Sequence, residues 1–464
     1  MNNLHVDVAI VGCGTAGMSA YRAASKYSNN VVTIEGGVYG TTCARVGCMP
    51  SKLLIAAAEA AHHIQSSAGF GVHAGSIKIN GREVMHRVRS ERDRFVGFVL
   101  ESVEEFPQES KLKGRAKFHA PGILQLDDHT LIHAKSIVIA TGSAPSLPPI
   151  LSDVRERVIF NDQVFEWEDL PSSIAVFGPG IIGLELGQAL HRLGVRTSVF
   201  GRGGRAGIFT DPKLVEYTRK TFQSEMDFIY DPQIKSVKAS ANGLRIEFVD
   251  DGGKLRFEEF EFALSATGRP PNLKNLCLEN SGLELDEKGI PKYNPKTLQC
   301  GESPVFLAGD VSDHLPLLHE AADEGRIAGD NAGRYPEVVD GKRRSHLTVA
   351  FTDPQMVLVG STFQDLQRQN LDFATGEVSF ENQGRSRVMR VNKGLMNVYA
   401  HRDSHRFLGA EIFGPRAEHL GHLLAWAHQQ KMTIDDMLDM VFYHPVIEEG
   451  LRTALRNCLQ GLKR

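Results

Sequence analysis

Two cysteines near the start of the chain and a histidine near its end are the residues best suited to do chemistry. Cys43 and Cys48 are separated by four residues, just ahead of an alanine-rich run that favours a helix. His444 is followed by a proline, and Glu449 lies five positions further on. A closely spaced cysteine pair suggests a redox dithiol, in which the thiolate is the reactive form. The histidine is then the natural proton carrier, with the carboxylate available to orient it.

The cysteine content and the charge limit the class of protein. Six cysteines in 464 residues do not make a disulfide scaffold, and none of their spacings is typical of a zinc site. We therefore expect no bound metal and a reducing cytoplasm, where a cysteine pair is more often catalytic than structural. The formal net charge of −4 and the lack of a basic stripe argue against nucleic acid as a partner.

No segment of the sequence indicates export or a membrane. Residues 1–5, ahead of the first predicted strand, are too short for a signal or transit peptide. The longest apolar runs, such as residues 174–186, contain glycine or proline and are too short to span a bilayer. We expect a cytoplasmic protein without a membrane partner.

A glycine-rich turn close to the N-terminus indicates a dinucleotide site. The strand-like residues 6–11 lead into Gly12, Gly14 and Gly17, then a helical stretch, then residues 31–34 as a second strand that ends at Glu35. The three glycines allow a tight turn, close approach of a pyrophosphate, and close packing of helix on strand. The helix N-terminus attracts the phosphates, and the acid binds a ribose diol.

The same pattern recurs in the middle of the chain and implies a second dinucleotide. The strand 174–177 is followed by Gly178, Gly180 and Gly183, a helix through Arg192, and a strand over 195–200. The position that matches Glu35 is Gly201, with Arg202 and Arg205 behind it. Arginines in place of the acid suit a 2′-phosphate, which favours NADP over NAD. The alternative is a solvated basic turn beside a site for NAD.

Three further strands end in residues suited to bind the same ligands. One leads to Thr141 and Gly142, another to Gly268, and we predict that the chain leaves each nucleotide domain at these points. The apolar strand before Asp310 ends in an acid that suits a hydroxyl-rich chain such as a ribityl group. Alternatively, Asp310 simply terminates the strand.

From residue 346 the pattern changes to that of an α+β domain. Strand-like stretches at 348–351, 355–359, 395–400 and 407–412 precede helical ones at 418–430 and 434–440. Together with the two nucleotide units, this predicts an α/β fold with two Rossmann-like domains and an α+β C-terminal domain.

In their order along the chain, these motifs resemble the pyridine nucleotide–disulfide oxidoreductases. The resemblance covers essentially the whole sequence and implies FAD in the first site, NAD or NADP in the second, and a C-terminal dimerisation domain. It implies an FAD-binding domain over residues 1–149 and 269–345, an NAD(P)-binding domain over 150–268, and a dimerisation domain over 346–464. The implied role is an oxidoreductase of cell redox homeostasis.

The resemblance also assigns roles to the reactive residues. Cys43 is the interchange thiol, Cys48 the charge-transfer thiol beside the flavin, and His444 the base that Glu449 orients. A dithiol substrate would reduce the Cys43–Cys48 disulfide, with electrons passing to FAD and then to NAD(P). Lys52 and Glu185 match an ion pair near the flavin, and Thr42 matches a cofactor contact. In the family, His444 and Glu449 reach the disulfide of the other subunit, so we predict an obligate homodimer.

Within the family, the sequence is most similar to dihydrolipoamide dehydrogenase, with three departures. The similarity lies in Ser51-Lys52 and residues 318–325, and the C-terminus lacks the cysteine pair of mercuric reductases. Thr41 stands where the family usually has glycine, and Arg45 where it usually has asparagine. The third departure is the Gly201-Arg202 pair.

Three alternatives stay open. The first is an NADPH-dependent reductase of another small disulfide, like glutathione reductase or mercuric reductase. The second is a structural subunit of a multienzyme complex. The third is a flavin oxidase or quinone reductase that bypasses the cysteines.

Overall fold

The computed structural model of the protein describes residues 2–463. The strands in this range are β1 (Asn2–Val11), β2 (Val31–Glu35), β3 (Lys111–Lys113), β4 (Ala116–Ala120), β5 (Ile123–Leu126), β6 (Thr130–Ile139), β7 (Val158–Ile159), β8 (Ser173–Phe177), β9 (Arg196–Phe200), β10 (Asp227–Ile229), β11 (Gln233–Ser240), β12 (Gly243–Val249), β13 (Leu255–Phe260), β14 (Phe262–Ser265), β15 (Val305–Leu307), β16 (Leu347–Ala350), β17 (Gln355–Gly360), β18 (Phe373–Ser379), β19 (Leu395–His401) and β20 (Phe407–Gly414). The α-helices are α1 (Thr15–Ala24), α2 (Thr42–Val46), α3 (Cys48–Ser66), α4 (Gly81–Glu104), α5 (Asn161–Val164), α6 (Ile181–Arg192), α7 (Pro212–Glu225), α8 (Leu318–Arg334), α9 (Phe363–Arg368), α10 (Gly384–Val388), α11 (Ala417–Gln429), α12 (Ile434–Leu438) and α13 (Glu448–Leu462).

The chain forms two compact units. The first comprises the residues up to Pro50, Arg89–Ser146 and Gly268–Arg343. The second comprises Ser51–Val88, Leu147–Thr267 and the chain from Arg344 onward.

The first unit is built on a seven-stranded sheet with a parallel core. Strands β3, β2, β1 and β6 follow one another in parallel, β15 pairs in parallel with the C-terminal half of β6, and β5 and β4 continue as an antiparallel meander. Val11 is in register with both Ile34 and Ile139, and Ile139 with Leu307. Four carboxyl-terminal strand ends therefore meet at one edge, which is where ligands bind in sheets of this kind.

Helices α1 and α8 pack against each other at very close range. A Cβ built on Gly325 or on Gly329 would lie 2.2 Å from the carbonyl oxygen of Ala16 or Ala20, respectively. Glycines four positions apart lie on one face of a helix, so α8 presents a flat stripe to the alanines of α1. This contact fixes the helix that begins at the first glycine turn.

The second unit contains a second parallel sheet. Its five strands run in the order β10, β9, β8, β14 and β7, all parallel. A three-stranded antiparallel sheet, β11–β12–β13, follows in the chain between β10 and β14. Helix α6 starts at the second glycine turn and packs against β8 and β9 with its buried face.

The C-terminal part of this unit is a five-stranded antiparallel sheet covered by helices. The strand order is β16, β17, β20, β19 and β18. Val357, Val398 and Ile412 on one face join a core with Leu424 of α11 and Leu455 of α13. The opposite face contributes Met356, Leu358 and Phe413 to the core of the parallel sheet of the same unit.

The predicted fold class is confirmed: two Rossmann-like sheets and a C-terminal α+β domain are present. Three details of the C-terminal prediction were wrong: α9 and α10 lie between the strands, β18 was not predicted, and neither was the helix α13. The predicted domain boundaries stay a prediction. Among residues 2–463, no helix is both long enough and apolar enough to cross a membrane.

Candidate active site and cofactor sites

The first glycine turn shows three different reasons for its three glycines. Gly12 has a φ of +106°, and a Cβ there would lie 2.4 Å from the carbonyl oxygen of Ala140. A Cβ on Gly17 would lie 1.9 Å from the carbonyl oxygen of Gly12, so helix and strand touch through backbone. A Cβ on Gly14 would meet nothing within 4 Å. Gly14 is the N-cap of α1, so the open space lies where helix amides are unsatisfied and a pyrophosphate would bind.

Glu35 ends β2 beside this turn. Its Oε2 accepts a hydrogen bond from the amide of Cys13 at 2.9 Å, and its Oε1 accepts one from the amide of Gly37 at 2.7 Å. The half-buried carboxylate is thereby fixed next to the helix N-terminus, in the position of an acid that binds a ribose diol. Cys13 itself is buried, and burial raises the pKa of its thiol to about 11, so it serves as a packing residue rather than a reactive one.

The ends of β6 and β15 complete the rim of the first site. The hydroxyl of Thr141 is buried and has no hydrogen-bond partner among residues 2–463. The hydroxyl of Ser143, one residue past Gly142, donates to Oδ2 of Asp310 at 2.9 Å, and Arg269 donates to the same hydroxyl at 3.2 Å. A buried hydroxyl without a partner and an open glycine cradle both fit a bound dinucleotide, because unsatisfied polar groups of this kind are rare in a finished interior.

The second glycine turn has almost the same geometry as the first. Gly178 has a φ of +106°, and a Cβ there would lie 2.4 Å from the carbonyl oxygen of Ala266. A Cβ on Gly183 would lie 1.9 Å from the carbonyl oxygen of Gly178, whereas one on Gly180 would meet nothing within 4 Å. The turn therefore offers a second cradle at the N-terminus of α6. Gly268, predicted to bind at this site, has a φ of +121° and accepts a hydrogen bond from the amide of Ser146.

The missing acid after β9 has a steric cause. A Cβ on Gly201 would lie 2.5 Å from the carbonyl oxygen of Tyr230, because the amide of Gly201 donates to Ile229 as the parallel ladder continues. A side chain is therefore excluded at this position. Arg202 and Arg205 are exposed, and neither forms an ion pair with another of the described residues. The amide of Gly203 instead donates to Asp231 at 2.9 Å, which places one carboxylate near the two arginines.

The two cysteines lie on consecutive helices. Cys43 is the second residue of α2 and is half-buried, whereas Cys48 is exposed and begins α3. Gly47 separates the two helices, and a Cβ there would lie 3.1 Å from the carbonyl oxygen of Thr42. The break in the helix at Gly47 lets two cysteines five positions apart lie on different helices.

Lys52 and Glu185 form the predicted ion pair. The ammonium donates to both carboxylate oxygens at 2.8 and 3.0 Å, and the lysine and glutamate side chains are 31% and 4% exposed. Phe351, which the sequence interpretation missed, donates its amide to Glu185 at 2.8 Å and places its ring 4.6 Å from the ammonium. No sequence signal marks this contact, because 166 positions separate Phe351 from Glu185.

His444 and Glu449 also form a pair. Nδ1 of His444 lies 3.1 Å from both carboxylate oxygens, and the histidine side chain is 80% exposed. The hydrogen bond with His444 lowers the pKa of Glu449. A carboxylate on Nδ1 fixes the tautomer in which Nε2 is the basic nitrogen, which is the arrangement of a general base with its orienting acid. The high exposure shows that His444 is not part of a hydrophobic core.

Comparison with known proteins identifies the family of the chain. Residues 6–325 match the family described as pyridine nucleotide-disulphide oxidoreductase, and residues 347–455 match the dimerisation domain of that family. A dihydrolipoyl dehydrogenase of Chlamydia pneumoniae is 27% identical over 449 residues, covering 96% of this chain and 95% of the relative. A mercuric reductase of Shigella flexneri is 28% identical over 474 residues, covering 99% and 82%.

Solved structures show the same fold. LpdA from Mycobacterium tuberculosis aligns with a TM-score of 0.82 at 22% identity, covering 97% of this chain and 99% of that one. The HOCl-induced flavoprotein disulfide reductase RclA from Escherichia coli aligns with a TM-score of 0.79 at 19% identity, covering 98% and 99%.

The chain therefore belongs to the pyridine nucleotide-disulphide oxidoreductases. It is an FAD-dependent dithiol/disulfide oxidoreductase of this family that uses NAD or NADP, and its C-terminal dimerisation domain supports a homodimer.

Proposed function

We propose that the protein is a dihydrolipoyl dehydrogenase, which oxidises a dihydrolipoyl group with reduction of a pyridine nucleotide. The observation that carries the proposal is the His444–Glu449 pair. Nδ1 of the exposed His444 lies 3.1 Å from the carboxylate of Glu449, and the same chain contains Cys43 and Cys48. Beside a redox cysteine pair, such a base can take the proton of a substrate thiol and so produce the reactive thiolate. The full-length similarity to dihydrolipoyl dehydrogenases and the Ser51-Lys52 sequence support the same assignment.

The proposed reaction consists of two thiol–disulfide exchanges. One substrate thiolate attacks Sγ of Cys43, forming a mixed disulfide and breaking the Cys43–Cys48 bond, and Cys48 leaves as a thiolate. Nε2 of His444 takes the proton of the second substrate thiol, which then attacks the substrate sulfur of the mixed disulfide. This attack forms the cyclic disulfide product and releases Cys43 as a thiolate, to which His444 can return the proton. Glu449 stabilises the protonated imidazole until the proton is returned.

The cofactor assignments follow from the two cradles. We assign Gly12, Gly14, Gly17, Glu35, Thr42, Thr141, Gly142, Asp310 and Lys52 to FAD. We assign Gly178, Gly180, Gly183, Gly268, Arg202 and Arg205 to the pyridine nucleotide. Bound FAD supplies the two-electron relay between dithiol and nicotinamide. Lys52, held by Glu185 and by the ring of Phe351, provides a fixed positive charge that would favour an added electron pair nearby.

The proposed domain arrangement is the predicted one. An FAD-binding domain comprises residues 1–149 and 269–345, an NAD(P)-binding domain comprises 150–268, and a dimerisation domain comprises 346–464. We also propose a cytoplasmic location, because six cysteines without a disulfide framework suit a reducing compartment. The substrate is a small dithiol or a lipoyl-bearing protein, and neither nucleic acid nor membrane is a partner.

A substrate panel tests the proposal. FAD-loaded protein would be offered dihydrolipoamide with NAD⁺ and with NADP⁺, and lipoamide and oxidised glutathione with NADH and with NADPH. The proposal requires fast turnover of dihydrolipoamide with at least one nucleotide. Slow turnover of lipoamide with fast reduction of the flavin by NADPH would overturn it.

That second outcome would identify the alternative function, an NADPH-dependent reductase of another small disulfide. Two observations favour this alternative. The backbone excludes an acid at Gly201, and Arg202 and Arg205 are exposed beside it. The similarity to mercuric reductases is as high as that to dihydrolipoyl dehydrogenases. Preference for NADPH together with a different disulfide would select it.

We further propose that each active site uses the cysteines of one subunit and the histidine of the other. Complementation tests this arrangement with His444→Gln and Cys43→Ser subunits, each inactive as a homodimer. A heterodimer of the two contains one intact site if the residues act across the interface, so it should show about half the activity of the wild type. Sites formed within one subunit would leave the heterodimer inactive.

A further inference from the structure

Thr41 adopts a backbone conformation that threonine strongly disfavours. Its φ is +56° and its ψ is +152°. This region is populated almost only by glycine, because a Cβ there crowds the neighbouring backbone, and a branched side chain is the least tolerated. The preceding residue, Gly40, also has a positive φ, of +116°. The strain therefore lies two residues before Cys43.

Two hydrogen bonds hold Thr41 in this conformation. Its hydroxyl accepts from the amide of Ala44 at 3.3 Å, and its carbonyl oxygen accepts from the amide of Arg45 at 3.2 Å. Both donors belong to α2, the five-residue helix that carries Cys43. Thr41 is thus the N-cap of that helix, and the cap bond is what a threonine provides and a glycine cannot.

Two side chains crowd the residue that precedes Thr41. A Cβ on Gly40 would lie 2.8 Å from Cδ of Arg45 and 3.1 Å from Cγ1 of Val96, so both side chains lie against its α-carbon. Ala44 is buried with 5% exposure, which fixes the middle of α2. Gly40 is therefore packed against the side chains of Arg45 and Val96, while the hydroxyl of Thr41 is hydrogen-bonded to the amide of Ala44.

We propose that Thr41 is a positioning residue for the thiol of Cys43. The hydroxyl cap keeps the first turn of α2 formed against the strain at Thr41, so Cys43 stays half-buried in one orientation. The inference rests on the proposed function, in which Cys43 is the interchange thiol. It also gives the Thr41 departure from the family pattern a role in the site.

Three substitutions separate the strain from the cap. Thr41→Ser keeps both, Thr41→Ala keeps the strain and removes the cap, and Thr41→Gly removes both. Thr362→Ala is a matched control, because Thr362 is the N-cap of the six-residue helix α9. Its hydroxyl accepts a hydrogen bond from the amide of Asp365 at 3.2 Å, and its φ has an ordinary value of −77°. All are made in the full-length, FAD-loaded protein.

The readouts are turnover and the reactivity of Cys43. In Thr41→Ala and Thr41→Gly we expect kcat to fall by about three- to tenfold, the equivalent of one neutral hydrogen bond, with KM within about twofold. In the same variants carrying Cys48→Ser, alkylation of Cys43 by iodoacetamide should accelerate by a similar factor, read by peptide mass spectrometry. Thr41→Ser should restore the wild-type values, and Thr362→Ala should change neither readout.

Stability tests the strain separately. Thr41→Gly should melt at a higher temperature than Thr41→Ala, because glycine relieves the backbone conformation that alanine retains. If kcat and alkylation stay at wild-type values in Thr41→Ala and Thr41→Gly, the residue is merely structural and the inference is wrong. Equal melting temperatures for those two variants would refute the strain. If Thr41→Ala does not fold, Thr41→Gly against Thr41→Ser supplies the kinetic comparison. Full turnover by Cys43→Ser would instead refute the proposed function itself.

Discussion

Adding one methyl group to each glycine cradle should separate cofactor binding from folding. In Gly14→Ala and Gly180→Ala the new methyl group meets no protein atom within 4 Å, and neither glycine has a positive φ. Each variant should therefore fold with a change in unfolding free energy of about 1 kcal/mol or less. Gly17→Ala is the contrast, because its methyl group would lie 1.9 Å from the carbonyl oxygen of Gly12.

The expected magnitudes follow from these distances. A contact of 1.9 Å requires helix and strand to move apart by more than about 1 Å, so Gly17→Ala should lose about 3 kcal/mol of stability. The methyl group of Gly14→Ala occupies space that a pyrophosphate needs, and an overpacking penalty of about 1–3 kcal/mol weakens FAD binding about 5- to 150-fold. Gly180→Ala should weaken NAD(P)H binding by a similar factor while the flavin content stays at the wild-type level.

The assay is a two-by-two comparison. FAD affinity is measured by titrating apoprotein and following flavin fluorescence, and nucleotide affinity by KM on protein saturated with FAD. Gly384→Ala is the matched control, since a methyl group there also meets nothing within 4 Å and no predicted site residue is near it in sequence. If Gly14→Ala binds FAD as tightly as the wild type, or if Gly180→Ala loses flavin, the assignment of the two cradles is wrong.

Three further predictions concern charged groups. In urea denaturation at fixed protein concentration, Lys52→Met should lower the free energy of unfolding by about 3 kcal/mol, because it removes the cation that pairs with the 4%-exposed Glu185. The double variant Lys52→Met with Glu185→Gln should lose about 2 kcal/mol less. Additive losses from the two substitutions would contradict the coupling of the pair. Burial, and then the positive charge of a neighbouring arginine, lower the pKa of His428. As pH drops through about 6.5, the histidine is protonated in the unfolded chain before it is protonated in the folded one, so the stability of the fold should decrease. In melting curves recorded at a series of pH values, His428→Gln should flatten that decrease, and an unchanged slope would contradict the assignment. The hydrogen bond with His444 lowers the pKa of Glu449, so the pair should persist as pH falls until it passes below the ordinary pKa of a glutamate. In His444→Gln, an NMR titration should show a higher pKa for Glu449. An unchanged pKa would contradict the pairing.

The parts of the site that the sequence predicts are those with local chemistry. Each glycine turn, its strand and its helix lie within about 20 residues, and the structure shows the expected steric reason at Gly12, Gly17, Gly178 and Gly183. The family and the α/β fold are confirmed for the same reason, since order and spacing along the chain specify them. The roles of the individual site residues stay predictions until they are tested.

What the sequence could not predict depends on conformation or on distant contacts. The sequence shows that Thr41 stands where the family usually has glycine. The sequence does not show that the backbone of Thr41 has a positive φ. Gly201 reads as the loss of an acid, whereas the structure shows that Tyr230 leaves no room for a side chain. Phe351 contacts Glu185 across 166 positions, and only folding brings them together. Strand β18 carries Gly376 and Glu377 in its middle, residues that are depleted in strands, so its sequence does not read as one.

If electrons pass between the dithiol substrate and FAD through Cys43 and Cys48, differential alkylation should detect a change at these two cysteines. The FAD-loaded protein is alkylated under anaerobic conditions before and after reduction by NAD(P)H, and each of the six cysteines is quantified by peptide mass spectrometry. We expect that only Cys43 and Cys48 change, from protected before reduction to alkylated after it. Equal labelling of both before and after reduction, or a change confined to other cysteines, would contradict it.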